Sequence, residues 1–541
     1  MKNQPALANS LLAEWPARFH FKFMRKHRFN FRNRLVCGLG ILSLFRAANA
    51  LAEVQLPAIF SDHMVLQSAA AVPVWGWADP GEEVTVSIAG QTRTATADAS
   101  GAWKLKLDKL SATAPVTLTI KGKNTIVIQD VLVGEVWLAS GQSNMQLPVN
   151  DAMNPQAEKA SAKYPQIRMF TVVHHAAITP QTNCEGQWVI CSPETVGHFS
   201  AAAYFFAREL HQHLKVPVGI INSSWGATPI ETWTCLDRME GKPEFAPVFQ
   251  SWEAKMRVPF DEAKAESQYQ HALAAWKTNV EVLKAAGKPV PYQPQKQVAP
   301  RADKNYPGND FNGMIAPLIP YAIRGAIWYQ GENNAMSEFP QLYQAQLKLL
   351  IQDWRQRWGE GDLPFAWVQL PNFQMKSPVQ SALDKWAVVR ESMLRTLAVT
   401  NTGMAVTIDV GNPNYIHPGN KQAVGHRLAL WARAKVYGEN IPYSGPLPAG
   451  QQINGDKITV SFTHADGGLV AKDGGLKGFA IAGADHHWVP ATAQIQGDQV
   501  IVSSPEVKSP VAVRYAWADN PECNLFNGAG LPASPFRTDA W

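Results

Sequence analysis

Five apolar runs recur between residues 131 and 440: VLVGEVWLAS (131–140), VPVGIINSS (216–224), RGAIWYQ (324–330), PFAWVQL (364–370) and GMAVTIDV (403–410). Amphipathic stretches lie between them. FSAAAYFFARELHQHL (199–214) puts Phe199, Ala203, Phe206 and Leu210 on one helical face. FPQLYQAQLKLLIQDWRQRW (339–358) and NKQAVGHRLALWARAKVY (420–437) carry the same helical period. Apolar strands that alternate with such helices predict a parallel sheet covered on both faces. In sheets of that kind, ligands bind beyond the carboxyl ends of the strands.

The flanks have a different rhythm. Residues 53–130 contain VPVWGWADPG, EEVTVSI, AWKLKL and VTLTIKG, short alternating runs broken by Pro, Gly and Asp. They predict a small β-sandwich-like domain. Residues 441–541, with KITVSF, FAIAG, QVIVSS and VAVRYAW, predict a second one. Residues 246–304 interrupt the central region. They are charged and helical at first, then rich in Pro, Lys and Gln, and read as a surface insertion beside the strand ends. The 541 residues suffice for three to four domains at about 150 residues each.

The net charge of +5 is concentrated in a leader. Residues 1–50 carry nine Lys/Arg and the single acid Glu14, so the remainder holds more acids than bases. From Met24 the order is a basic stretch, an eleven-residue apolar run (Leu35–Phe45) and then RAANALA. This order predicts a secretory signal peptide over 1–52, cleaved after Ala50 or Ala52, with Met24 as an alternative start and a periplasmic or secreted product. Cys37 lacks a lipoprotein-type context. A slightly acidic body predicts no general attraction to nucleic acid, and none to membrane after cleavage. Cys184, Cys191, Cys235 and Cys523 lie beyond the leader. Their even number permits disulfides in an exported chain, with Cys184–Cys191 as the best pair. No Cys or His spacing suits zinc.

The predicted strand ends carry residues of chemical interest. The first leads into SGQSNMQ (140–146), which places Ser143 on a strand-to-helix turn, where free helix N–H groups lie close to its hydroxyl. The second leads into NSSWGATPIETW (222–233), where Gly226 allows close backbone approach to a ligand. The third gives WYQGENNA (328–335), with the neutral donors Gln330, Asn333 and Asn334. The fifth leads into TIDVGNPNYIHPGNK (407–421), where His417 stands before a helix as a candidate general base. Each residue alone is equally consistent with caps and turns. Their coincidence on four strand ends of one sheet is not.

The order Ser…Gly…Asn…His resembles the SGNH (GDSL-like) hydrolases. The wording GEVWLASGQSNM, INSSWGATPIETW, IRGAIWYQGENNA and MAVTIDVG…IHPGNKQAVGHRLALWA resembles the sialate O-acetylesterase family over roughly residues 53–437. The resemblance implies a three-layer α/β/α domain and a metal- and cofactor-independent serine esterase acting on acetylated carbohydrate, such as xyloglucan, xylan or O-acetylated sialic acid. It implies Ser143 as nucleophile and His417 as base. The oxyanion donors would be the N–H groups of Ser143 and Gly226 and a side-chain amide from the QGENN turn. Asn333 fits that place by spacing, with Gln330 and Asn334 as alternatives. SGNH enzymes commonly place Asp three residues before the His, but here Asn414 stands there. Asp409 is the nearest upstream carboxylate, so either it orients His417 or a Ser–His dyad operates.

Nineteen Trp residues suggest sugar-stacking surfaces. Trp225, Trp233, Trp328 and Tyr329 lie near the strand ends, and Gln142 adjoins the nucleophile. Trp225, Trp233 and Gln142 are the candidate substrate contacts. The competing reading is a non-catalytic carbohydrate-binding protein on a degenerate hydrolase fold. A lipase is disfavoured because the serine lies in SGQSN and not in Gly-x-Ser-x-Gly.

Overall fold

The computed structural model describes residues 53–541 except 112–113, 289, 292 and 377–383. The leader expected at 1–52, with Met24 and Cys37, lies outside the described residues. The described residues form one unit.

The strands of the central sheet, in chain order, are β1 (Thr125–Gly141), β2 (Ile167–Thr171), β3 (Trp188–Ile190), β4 (Val218–Ser224), β5 (Gly325–Tyr329), β6 (Phe365–Val368) and β7 (Thr402–Ala405). Their spatial order is β7-β6-β5-β1-β4-β2-β3. Every pairing is parallel except β2–β3. Chain order therefore reverses about β1, and the carboxyl ends of β1, β4 and β5 lie side by side. A ligand crevice forms at such a switch point.

Side chains alternate between the two faces of the sheet. Trp137, Ala139, Ile220, Ile327 and Tyr329 join one buried cluster, together with helices α1 (Ala201–Leu214) and α4 (Lys421–Lys435). Leu138, Ile221, Trp328 and Trp367 join the other, together with α2 (Tyr343–Trp358) and α3 (Lys385–Thr396). Helices thus cover both faces, as the run-and-helix pattern requires. Asn420 caps α4 by accepting from Ala423 N–H, and Ser200 caps α1 by accepting from Ala203 N–H.

The details depart from the sequence reading in three places. The short strands β2 and β3 and the helix α3 were not foreseen. The run 403–410 is a strand only through Ala405, because the chain turns away at Val406–Val410. The expected Cys184–Cys191 disulfide is absent: both thiols are free. Cys184 packs into one of the two core clusters and Cys191 into the other, with β3 between them in sequence.

Strand β1 is seventeen residues long and serves two sheets. Its first part pairs antiparallel with Val116–Lys121, and its second part pairs parallel with β4 and β5. Within 246–304 lie two helices, Ala246–Met256 and Glu262–Ala285, the second of which buries only Ala265 and Val280. The last hundred residues hold two four-stranded antiparallel sheets around Val460, Ile481, Val500 and Val513. Buried Arg390 of α3 ties this region to the centre, since its guanidinium donates to the carbonyls of Leu370, Pro371, Ala518 and Asp519.

Candidate active site

Gly141 ends β1 with φ +135°, and a Cβ there would lie 2.1 Å from Tyr329 O. Glycine lets β1 press against β5 and turn sharply into the one-turn helix Ser143–Gln146. Ser143 is the first residue of that helix and is half-buried. Its N–H has no intrahelical partner, as at any helix start. His417, also half-buried, sits in the loop between β7 and α4, and its Nε2 lies 2.8 Å from Ser143 Oγ. With the proton on Nδ1, Nε2 can accept from the hydroxyl. Burial, with the Lys421 ammonium beside it, holds the imidazole below its ordinary value. The exposed Tyr415 ring stands edge-on to the imidazole at 5.4 Å.

Gly226, just past β4, lies against the serine: a Cβ built on it would be 3.3 Å from Ser143 Cβ. Its N–H donates to Gln146 Oε1 at 2.8 Å. Its carbonyl accepts from Lys304 Nζ. Asn333 is half-buried at the same rim, where its Nδ2 donates to Ala227 O (3.1 Å) and its N–H to Gln142 Oε1 (3.2 Å).

The other two amides of the QGENN turn face inward. Gln330 is fully buried, and its Nε2 is shared among Gln142 Oε1, Thr228 O and Asn334 Oδ1. Asn334 is buried too, and its Nδ2 is taken by Glu231 Oε2 and Gln346 Oε1. Both amides are spent on locking the β5 turn to the 228–231 turn, so neither offers a free donor to a reacting group. Gln142, expected to contact substrate, faces inward as well: it is 3% exposed, and its Oε1 accepts from Gln330 Nε2 and Asn333 N–H.

Asp409 does not meet His417. Its two oxygens form a bidentate pair with Arg427 at 2.6 and 2.7 Å, and no hydrogen bond joins it to the imidazole among the described residues. The cause is the early end of β7, which leaves Asp409 in a turn facing α4. Among the aromatic candidates, Trp233 is fully buried, donating to Thr228 Oγ1 and packing edge-on against Trp328. Trp328 and Tyr329 are fully buried as well. Trp225 is half-buried, with the His174 ring stacked parallel to it at 4.6 Å and the Lys304 ammonium 5.0 Å from its centroid.

Three residues beneath the Ser–His pair escaped the sequence reading. Asn144, Glu332 and Lys421 are all fully buried. Asn144 Nδ2 donates to Glu332 Oε1 (2.5 Å) and to Ile416 O (3.0 Å). Lys421 Nζ donates to Asn144 Oδ1 (2.6 Å) and to Pro418 O (2.8 Å). Burial pushes the Glu332 carboxyl up and brings the Lys421 ammonium down to about 7. Among the described residues no group of three or more His, Cys, Asp or Glu is placed to hold a metal ion. No helix among them is long and apolar enough to cross a membrane.

Residues 311–432, which carry Asn333 and His417, match the family described as carbohydrate esterase, sialic acid-specific acetylesterase. The sialate O-acetylesterase of Homo sapiens is 29% identical, over 93% of this chain and 96% of its own length. That of Mus musculus is 29% identical, over 88% of this chain and 92% of its own. A solved carbohydrate acetylesterase from Xanthomonas citri is 39% identical, with a TM-score of 0.76, covering 90% of this chain and 100% of that one. The chain belongs to the sialate O-acetylesterase family of carbohydrate esterases. It is an esterase that acts on acetylated carbohydrate. In this family member the matched segment also contains Glu332 and Lys421, so two of the three buried polar residues beneath the rim lie inside it.

Proposed function

We propose that this esterase works through an acetyl-serine intermediate, with Ser143 as nucleophile and His417 as general base. The observation that carries the reading is the 2.8 Å approach of His417 Nε2 to Ser143 Oγ. As Oγ attacks the acetyl carbonyl carbon, its proton passes to Nε2. The carbonyl oxygen becomes an oxyanion and is held by the N–H groups of Ser143 and Gly226 and by Asn333 Nδ2. For this, the acceptors that two of those donors now have, Gln146 Oε1 and Ala227 O, must yield to the substrate. Each such donor contributes about 3 kcal/mol in the transition state. The ester C–O bond breaks, and the departing sugar oxygen takes the proton from His417. Water then repeats the sequence on the acetyl-serine and releases acetate. With Asp409 engaged by Arg427, the machinery is a Ser–His dyad in which the protein frame supplies the orientation.

The fold reading is an SGNH-type α/β/α domain over 131–440, with β-rich domains over 53–130 and 441–541 and the insertion at 246–304. The substrate is an O-acetylated saccharide: a plant polysaccharide or oligosaccharide such as xyloglucan or xylan, or an O-acetylated sialic acid. The 39% identity to the Xanthomonas citri carbohydrate acetylesterase supports an acetylated carbohydrate as the substrate class. The basic, apolar and small-residue order of the leader supports export to the periplasm or beyond. The test is acetate release from acetylated xyloglucan, xylan and sialic acid by wild type and Ser143→Ala. Release by both proteins alike would overturn the serine mechanism.

A further inference from the structure

We propose that Lys421, Asn144 and Glu332 form a buried clamp that fixes the His417 imidazole on Ser143, performing the orienting task that a triad carboxylate performs in other serine hydrolases. The inference rests on the Ser143–His417 reading and concerns positioning residues, since none of the three touches the reacting atoms.

The geometry is two-sided. The carbonyls of Ile416 and Pro418 bracket His417 in sequence. Asn144 Nδ2 holds the first at 3.0 Å and Lys421 Nζ holds the second at 2.8 Å. The two holding groups are joined to each other, because Lys421 Nζ also donates to Asn144 Oδ1 at 2.6 Å. Asn144 follows Ser143 directly, so the nucleophile and one jaw of the clamp share a single helical turn. Glu332 closes the cluster from the β5 side through its 2.5 Å bond to Asn144 Nδ2. A movement of the 416–418 loop that displaces the Ile416 or the Pro418 carbonyl breaks one of these bonds. Among the described residues the imidazole's hydrogen bond is to Ser143 and its ring neighbour is the edge-on Tyr415, so the orienting force of the clamp reaches it through the backbone.

Physical cost argues that the cluster is more than packing. A buried ammonium and a buried carboxyl are expensive to desolvate, and apolar residues of similar volume commonly serve stability as well or better. Glu332 Oε2 has no hydrogen-bond partner among the described residues, so the carboxyl is held at a further cost. Lys421 is the first residue of α4, where the helix dipole disfavours a cation. A local rule broken at high cost beside a reactive pair is expected at functional positions.

The clamp also bears on charge. The groups facing His417 are Ser143, the Tyr415 ring and Lys421, and those facing Lys421 are Glu332 and the Tyr329 ring. In the acid range where His417 titrates, Lys421 is protonated and lowers the imidazole. Above its own value of about 7 it becomes a neutral amine that still donates to both carbonyl-type acceptors.

The experiment uses Lys421→Met, Asn144→Ala and the double variant of the full enzyme on a small acetyl ester, with Ser143→Ala alongside. A misplacement of about 1 Å costs on the order of 10²-fold in rate. Each single variant is therefore expected to lose about 10²-fold in kcat, with KM changed by less than about 3-fold. In Lys421→Met the acid limb of kcat/KM moves to higher pH, because the cation that lowers His417 is gone. The double variant loses little more than the worse single one, because both side chains hold one loop. A folded Lys421→Met with wild-type kcat and an unmoved acid limb overturns the clamp. If Lys421→Met does not fold, Asn144→Ala with kcat within about 2-fold of wild type overturns it. Loss in Ser143→Ala without loss in the clamp variants removes the clamp and leaves the serine mechanism standing. Full activity in Ser143→Ala removes both.

Discussion

Ser143 Oγ and His417 Nε2 stand 2.8 Å apart although 274 residues separate them in sequence. Only the parallel topology brings them together, since each follows a different strand at one rim of the sheet. If they act as nucleophile and base, Ser143→Ala leaves the melting temperature unchanged and lowers acetate release by at least about 10³-fold. His417→Ala does the same, and the double variant is no worse than either. Discontinuous release assays on purified, folded variants check this; a serine variant with more than a tenth of wild-type kcat contradicts it.

The pH dependence follows from the environment of His417. The base must be neutral to accept a proton, so kcat/KM falls as pH drops through its pKa. Burial and then the Lys421 charge hold that value below the ordinary 6.5. The acid limb is thus expected below pH 6.5, and activity is retained in mildly acidic media. A pH–rate profile from about pH 4 to 8 reads it directly. A limb above the ordinary imidazole value would mean that the imidazole is stabilised as a cation.

Asp409 separates the triad from the dyad. Removing the acid of a working triad costs about 10⁴-fold in kcat. Here Asp409 pairs with Arg427, which also donates to Val406 O at 2.7 Å, and the pair braces the loop leaving β7. Asp409→Asn is expected to keep kcat within about 10-fold of wild type. It should lose about 1–3 kcal/mol of stability by urea unfolding. A collapse of kcat with unchanged stability would reinstate the triad.

What was legible in the sequence and what was not divides along physical lines. Buried parallel strands advertise themselves as apolar runs, and the topology then forces their carboxyl ends onto one rim. Ser143, Gly226, Asn333 and His417 could therefore be placed together from their positions alone. Lys421 could not, because a lysine opening an amphipathic helix ordinarily points to solvent. Asn144 was hidden by its neighbour, being read as part of the serine motif. Trp233 misled for the opposite reason: aromatic residues near strand ends suit either platform or core, and the turn at Ile230–Trp233 folds this one inward. The Cys184–Cys191 spacing suggested a closed loop, but the strand Trp188–Ile190 between them carries the two thiols into different core clusters. Asp409 misled because an apolar run does not reveal where a strand stops.

The two tryptophans on the second strand-end segment should behave differently. Trp233 is fully buried, so Trp233→Ala is expected to cost about 3–5 kcal/mol. Trp225 is half-buried beside Gly226 and braced by His174. Trp225→Ala is expected to fold, to leave turnover of a small acetyl ester within about 3-fold, and to raise KM for an acetylated oligosaccharide by about 10-fold. Equal effects on both substrates would assign Trp225 to the scaffold.

Two glycines of the site separate scaffold from chemistry. At Gly141 a methyl would lie 2.1 Å from the Tyr329 carbonyl oxygen, and the backbone at φ +135° disfavours any side chain. Neither conflict can relax without parting β1 from β5, so Gly141→Ala is expected to lose about 2–4 kcal/mol and to express poorly. At Gly226 the backbone is ordinary. A methyl there meets Gln146 Oε1 at 3.2 Å and Ser143 Cβ at 3.3 Å, which shifts of a few tenths of an ångström relieve. Gly226→Ala is therefore expected to melt within a few degrees of wild type. Those same shifts move the Gly226 N–H and Ser143 relative to each other, which spoils the donor geometry at the developing oxyanion. The expected loss is about 10²-fold in kcat with little change in KM. Thermal unfolding and steady-state kinetics on both variants check the contrast; a Gly226→Ala enzyme with wild-type kcat would remove this N–H from the oxyanion site.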